Sequence, residues 1–302
     1  MAGKVEWVAV DWGTSNVRAW GIDTAGDIAF STGSDRGMSR IGRADYPGVL
    51  DELMGTLVPV RTEIVICGMA GARQGWLEAP YLATPANLHE LSRGAVAPAS
   101  ADMRFAPRIL PGVCQRTAGH EDVMRGEETQ LLGLLGLRPG FAGTVILPGT
   151  HSKWVTIDDG RITRLETAMT GELYEVLAEH SVLRHSLSGE RVGPATEDGF
   201  TEGMGTGLAR PEIVTGLIFR TRAASLLADK GADWCAGYLS GLLIGAEIGG
   251  HQNWLSGSAV PLIGSDRLSK LYATALKTLG IGSFAIDAAE ATIAGLKEAR
   301  AQ

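Results

Sequence analysis

Two distant stretches of the chain share one alternation of apolar runs and polar turns. In the first, the β-rich runs Val8 to Val10 and Val17 to Ile22 are separated by Gly13-Thr14-Ser15, and Asp23 to Gly26 turns the chain again. In the second, Val145-Ile146-Leu147 and Trp154-Val155-Thr156-Ile157 flank Gly149-Thr150-His151-Ser152, and Asp158-Asp159-Gly160 makes the next turn. The spacing from Gly13 to Asp23 equals that from Gly149 to Asp159, so one strand–turn–strand unit is used twice.

Other elements follow from the same kind of pattern. A polar loop from Ser34 leads to a helix over Tyr46 to Leu57, and Glu63 to Cys67 is a short apolar strand of the kind covered on both faces. That strand ends in Gly68-Met69-Ala70-Gly71-Ala72-Arg73, whose small residues let backbone approach a ligand. Between Ser92 and Gly112 the composition shifts to Ala, Pro and Ser, and a lobe boundary is expected just beyond it, giving lobes 1–117 and 118–302. In HEDVMRGEETQLLGLLG, Val123, Met124, Leu131, Leu132, Leu134 and Leu135 recur at helical spacing, with Asp122 as the expected cap. A helix with Glu172 in its first turn starts at Thr170 or Gly171, and the Gly-rich span Ser186 to Met204 reads as a loop or flap. GYLSGLLIGAEIGG reads as a buried helix, and SAVPLIGSDRLSKLY as a strand, a Gly-Ser turn and a helix opened by Ser265 or Asp266. Asp287 and Glu290 are spaced as a capping pair for the last helix.

Composition narrows the class. The 302 residues suffice for two lobes, and 45% hydrophobic with 20% charged residues is the balance of a globular protein. A net charge of −7 gives no footprint for nucleic acid or an anionic membrane, so any cationic site must be local. Three separated cysteines, Cys67, Cys114 and Cys235, indicate neither a disulfide framework nor a CxxC metal site and fit a reducing cytoplasm. Lys4 and Glu6 before the first strand argue against a signal peptide, and the histidines show no metal-ligand spacing. Oligomeric state is left open, a homodimer included.

The chemistry lies in the turns and in a pair of carboxylates. Two Gly-Thr turns of this type offer N–H groups and hydroxyls to a phosphate chain, with Arg18 and Lys153 as nearby cations. Asp11, just before the first turn, is placed to hold Mg²⁺ through water. On a helix, Glu127 and Glu128 both fall within roughly 60° of the centre of the apolar stripe. Carboxylates so directed either accept a proton from a reacting hydroxyl or mark the stripe's borders. Val123 and Leu131, four residues to either side, tilt the choice of base toward Glu127. Arg73 and Trp76 are, on the residues alone, either ligand contacts at the end of a parallel strand or surface residues.

DWGTSNVRAW resembles the first phosphate motif of the sugar kinase, heat-shock ATPase and actin superfamily. ILPGTHSKWV, GMAGARQGW, VMRGEETQLLG and TGELYEVL, taken together, are similar to the 2-dehydro-3-deoxygalactonokinase family, from Asp11 almost to the C-terminus. The resemblance implies an α/β, two-lobed actin-like ATPase (ribonuclease H-like) fold with a central nucleotide cleft holding ATP and Mg²⁺. It implies phosphorylation of 2-dehydro-3-deoxy-D-galactonate on its 6-hydroxyl. Gly13, Thr14, Ser15, Gly149, Thr150 and Ser152 would bind phosphates, Gly264 and Ser265 would border adenosine, and Lys153 would offset charge on the transferred group. Arg18, Met69, Arg73, Trp76, His151, Gly171 and Glu172 would meet the sugar acid, with Arg73 set against its carboxylate. Two other readings remain at this stage. One is an exopolyphosphatase-like hydrolase, because GEETQLLGLLG resembles that family's glutamate-bearing helix; the other is an actin-like nucleotide-switched assembly protein.

Overall fold

The computed structural model describes residues 4–99 and 104–302, so part of the Ala/Pro/Ser-rich span lies outside the described residues. The chain packs as two compact units. One comprises Met1–Ala142, Ile157–Leu165 and Ala288–Gln302, the other Gly143–Thr156 and Glu166–Asp287.

The first unit is built on strands β1 (Val5–Trp12), β2 (Val17–Asp23), β3 (Ile28–Ser34), β4 (Glu63–Gly68) and, after β5 (Tyr81–Ala83) and β6 (Ala86–Asn87), β7 (Ala106–Ile109). The sheet order is β3-β2-β1-β4-β7: the first three strands form an antiparallel meander, and β4 and β7 add in parallel. Register places Asp11 opposite Arg18 on β2 and Cys67 on β4, so one end of β1 gathers polar groups while Val8, Val10 and Trp12 enter the core. Helix α1 (Tyr46–Met54) covers this core and stops a turn before Leu57. A small sheet of β5, β8 (Gly112–Gln115) and β9 (Asp122–Met124) precedes α2 (Glu127–Leu137).

Two sequence expectations are corrected here. Asp122, Val123 and Met124 are strand, not helix, because Gly126 takes φ +114°, a left-handed conformation that ends β9 and lets α2 start afresh. Asp122 therefore does not cap α2; its carboxylate accepts the neighbouring Val123 N–H at 2.6 Å. The division by packing also does not fall at 117/118. The C-terminal helix α9 (Ala288–Ala301) returns to pack along α2, where the Gln130 amide donates to the Thr292 hydroxyl at 3.3 Å, and so keeps α2 in the first unit.

The second sheet repeats the plan. With β10 (Gly143–Leu147), β11 (Ser152–Asp158), β12 (Arg161–Ala168), β13 (Val260–Gly264) and β14 (Ser283–Asp287), its order is β6-β12-β11-β10-β13-β14; beyond the short β6, which pairs antiparallel with β12, the order of the other five strands is that of the first sheet over again. β13 is parallel to β10 and to β14. This duplicated meander with two added parallel strands is the ribonuclease H-like plan that the resemblance implied. Helices α3 (Thr170–His180), α4 (Thr196–Ala209), α5 (Val214–Ile218), α6 (Arg220–Leu227), α7 (Ala232–Gly250) and α8 (Asp266–Thr278) complete the unit.

The expected flap Ser186 to Met204 is also corrected: from Thr196 onward it is α4. Its glycines form a contact face, not a hinge, because a Cβ on Gly203 would lie 2.1 Å from the Tyr238 carbonyl oxygen of α7. Among the described residues no helix is long and apolar enough to cross a membrane.

Candidate active site

In the first unit the Gly13–Asn16 turn is held from one side. Its carbonyl oxygens accept from Met38 N–H (to Gly13, 3.1 Å), Ser39 N–H and Oγ (to Thr14, both 2.9 Å), Gly37 N–H (to Ser15, 3.1 Å) and Gly13 N–H (to Asn16, 2.8 Å). The turn's acceptors are thus engaged within the unit, while the Thr14 and Ser15 side chains are exposed. An anion needs that polarity. Gly37 permits it, because a Cβ there would stand 2.3 Å from the Ser15 carbonyl carbon.

The carboxylates gather beside this turn. Asp11 Oδ2 accepts from Arg18 Nη2 at 2.8 Å, and Asp11 Oδ1 lies 3.9 Å from the Cys67 thiol. Burial pushes the Cys67 thiol well up, and the charges of Asp11 and Glu128 add to the push. Glu128 is 0% exposed and both its oxygens stand 2.8 Å from the Gly126 N–H. Burial first, then the charge of Glu127, raise its pKa to about 8. Glu127 is half-buried, and its Oε2 accepts from the Arg125 N–H at 3.1 Å. The expected basis for preferring Glu127 fails, since Val123 is not on the helix; exposure now separates the two.

The strand-end loop behaves less uniformly than its sequence. Met69 is half-buried in the single turn Met69–Gly71, and Arg73 is exposed. Arg43 fixes the loop by donating to the Gly75 carbonyl at 3.0 Å and the Arg73 carbonyl at 2.7 Å. Trp76 is a core residue stacked on Tyr46 with ring centroids 5.5 Å apart. Arg125 lies over the Tyr81 ring at 4.2 Å and donates to the Ala79 carbonyl at 2.9 Å, while its buried Nε and Nη1 have no hydrogen-bond partner among the described residues.

In the second unit, the turn Gly149–His151 meets the start of α3. Glu172 N–H donates to the Thr150 carbonyl at 3.0 Å, the His151 ring pairs with the Glu172 carboxylate, and a Cβ on Gly171 would lie 2.5 Å from the Gly149 carbonyl oxygen. A cavity of about 370 Å³ opens here, lined by Gly149, Thr150, Gly171, Tyr174, Ser265 and Arg267 among others. Ser265 caps α8 by accepting the Leu268 N–H at 3.4 Å, and Gly264 lies buried before it, where a Cβ would come 3.1 Å from the Pro148 carbonyl. Ser152 alternates inward on β11, is fully buried, and its hydroxyl bonds Tyr272 at 2.9 Å. Lys153, on the opposite strand face, is 5% exposed with Nζ 3.4 Å from the His151 carbonyl.

The family model for 2-keto-3-deoxy-galactonokinases matches residues 11–299. The chain belongs to that family. It is 42% identical over 298 residues to a probable 2-dehydro-3-deoxygalactonokinase of Rhizobium meliloti (strain 1021), covering 97% of this chain and 96% of the relative. It is 35% identical over 294 residues to the 2-dehydro-3-deoxygalactonokinase of Escherichia coli (strain K12), covering 96% of each. A crystal structure of a Sinorhizobium meliloti protein described as a 2-dehydro-3-deoxygalactonokinase superposes with TM-score 0.90 at 42% identity, covering 97% of both chains.

The galactonokinase family membership makes the chain a kinase that uses a nucleotide and acts on a small sugar acid. It lends no support to the hydrolase or assembly readings. Sequence reasoning missed Gly37, Arg43, Arg125 and Glu247. The first three act through tertiary contacts with segments about 20 to 46 residues away, which no local pattern encodes. A carboxylate in an otherwise apolar run was the available signal for Glu247.

Proposed function

We propose that this kinase transfers the γ-phosphoryl of ATP to the 6-hydroxyl of 2-dehydro-3-deoxy-D-galactonate. The observation that carries the reading is the cluster at the end of β1. One partly exposed carboxylate, Glu127, stands beside one sealed carboxyl, Glu128, next to Asp11 and in the unit that bears the GMAGARQGW loop. At neutral pH a Glu128 with a pKa of about 8 is mostly protonated, and Glu127 is the half-buried member of the pair, the one a substrate hydroxyl would reach. Glu127 is the proposed base.

Among the described residues no group of three or more His, Cys, Asp or Glu could hold a metal. A site with one carboxylate suits Mg²⁺, which keeps several waters and takes its remaining ligands from phosphates. Asp11 would hold it through water with Oδ1, since Oδ2 is taken by Arg18. Bound there, the ion would neutralise phosphate charge. Within the first unit, Thr14 and Ser15, exposed on their turn, are the proposed contacts for phosphate oxygens; within the second, Gly149 and Thr150 line the cavity beside theirs. Lys153 would offset charge on the transferred group, and the second unit's cavity would take the nucleoside beside Ser265. Arg73, exposed on its anchored loop, would meet the sugar-acid carboxylate, whereas Arg18 is committed to Asp11. A coupled ADP-release assay over a panel of 2-keto-3-deoxy hexonates tests the reading. ADP release that depends on the galactonate derivative supports it, and release that is the same without any sugar acid refutes it.

A further inference from the structure

Helix α7 contains Glu247 in an apolar run, and that carboxylate is buried between three elements. It accepts from Trp154 Nε1 at 2.8 Å, from the Tyr272 hydroxyl at 2.6 Å and from the Thr170 hydroxyl. Tyr272 is itself bonded to the Ser152 hydroxyl at 2.9 Å. The donors come from β11, which leaves the second turn, from the first residue of α3, which covers that turn, and from α8. Thr170 and Tyr272 also line the cavity with Gly149 and Thr150. One carboxylate therefore ties together the strand, the helix and the wall around the turn. Burying it is costly unless every donor is present, so its geometry is tightly specified. The neighbourhood is closed by His251, whose ring stacks on Trp154 at 4.6 Å, whose Nδ1 lies 2.7 Å from the Glu247 carbonyl oxygen, and whose Nε2 is 3.2 Å from Glu166.

We propose that Glu247, with Tyr272 and Thr170, is a positioning group that fixes the Gly149–His151 turn for nucleotide phosphate and acts on turnover only through that turn. The inference rests on the nucleotide reading of this cavity. It also gives Ser152 a role: the hydroxyl expected on the phosphate anchors the turn from behind.

A purely structural role would lower stability and leave ligand affinities alone. The test measures ADP binding by calorimetry, Michaelis constants for ATP and for the sugar acid, and the thermal midpoint. The proteins compared are the unaltered chain, Tyr272→Phe, Thr170→Ala and Thr170→Ser. Tyr272→Phe and Thr170→Ala are expected to weaken ADP and raise the ATP Michaelis constant by up to roughly 10- to 150-fold, the range for losing a hydrogen bond to a charged group. The sugar-acid constant should stay within about twofold, and Thr170→Ser, which keeps the hydroxyl, should restore ADP affinity. Lower midpoints with unchanged ADP affinity in both variants would overturn the proposal. Absence of ADP binding by the unaltered protein would overturn the nucleotide reading and this inference with it.

Discussion

Replacing Glu128 by Gln should stabilise the first unit, and increasingly so as pH rises. Gln keeps the size of the side chain and an oxygen for the Gly126 N–H, but it cannot ionise. In the folded protein burial and the charge of Glu127 raise Glu128 from 4.5 to about 8. A carboxyl with a raised folded pKa contributes its full stability below the unfolded value near 4.5, and loses it as pH climbs toward about 8. Across that window each unit of pH costs about 1.4 kcal/mol, so between pH 5 and pH 8.5 the unaltered protein should lose roughly 4 kcal/mol relative to Glu128→Gln. The assay is urea unfolding of both proteins at four pH values, followed by tryptophan fluorescence; Trp7, Trp12, Trp20 and Trp76 all lie in this unit. Other titrating groups are common to the pair and cancel in the difference. A difference that stays constant within about 1 kcal/mol over that range would refute a buried, protonated Glu128.

Glu127→Gln should lower kcat by roughly 10²–10⁴ with substrate affinity largely kept, checked by steady-state kinetics with circular dichroism to confirm folding; near-normal turnover would remove it as the base. Lys153→Ala should lower turnover by about one to three orders of magnitude with little change in sugar-acid affinity, because a charge on the transferring phosphoryl acts mainly in the transition state. Arg73→Ala should chiefly raise the Michaelis constant for the sugar acid and spare that for ATP, and the opposite pattern would move this loop to the nucleotide side.

Where pattern and tertiary contact agree, the sequence was legible. The twin strand–turn–strand units, the strand at Glu63 and the Ser265 cap of α8 are local signals, and each element is present. Where a glycine decided the outcome, local reading failed. Gly126 broke a helix that Val123 and Met124 had suggested, because left-handed φ is invisible in an apolar periodicity. The glycines of α4 looked like a flexible loop, yet paired with those of α7 they are a close helix contact. In the site, residue type found the carboxylates but not their exposure. Strand alternation turns Ser152 inward and core stacking holds Trp76 against Tyr46, and neither direction can be read from residue type.

The central claim is a phosphoryl transfer to one hydroxyl, and the position of phosphate in the product tests it most directly. Purified protein with ATP, Mg²⁺ and 2-dehydro-3-deoxy-D-galactonate should give a product whose phosphorus correlates with the C6 protons in a two-dimensional phosphorus–proton spectrum. Correlation to protons at another carbon, or inorganic phosphate as the sole new phosphorus signal, would contradict the account.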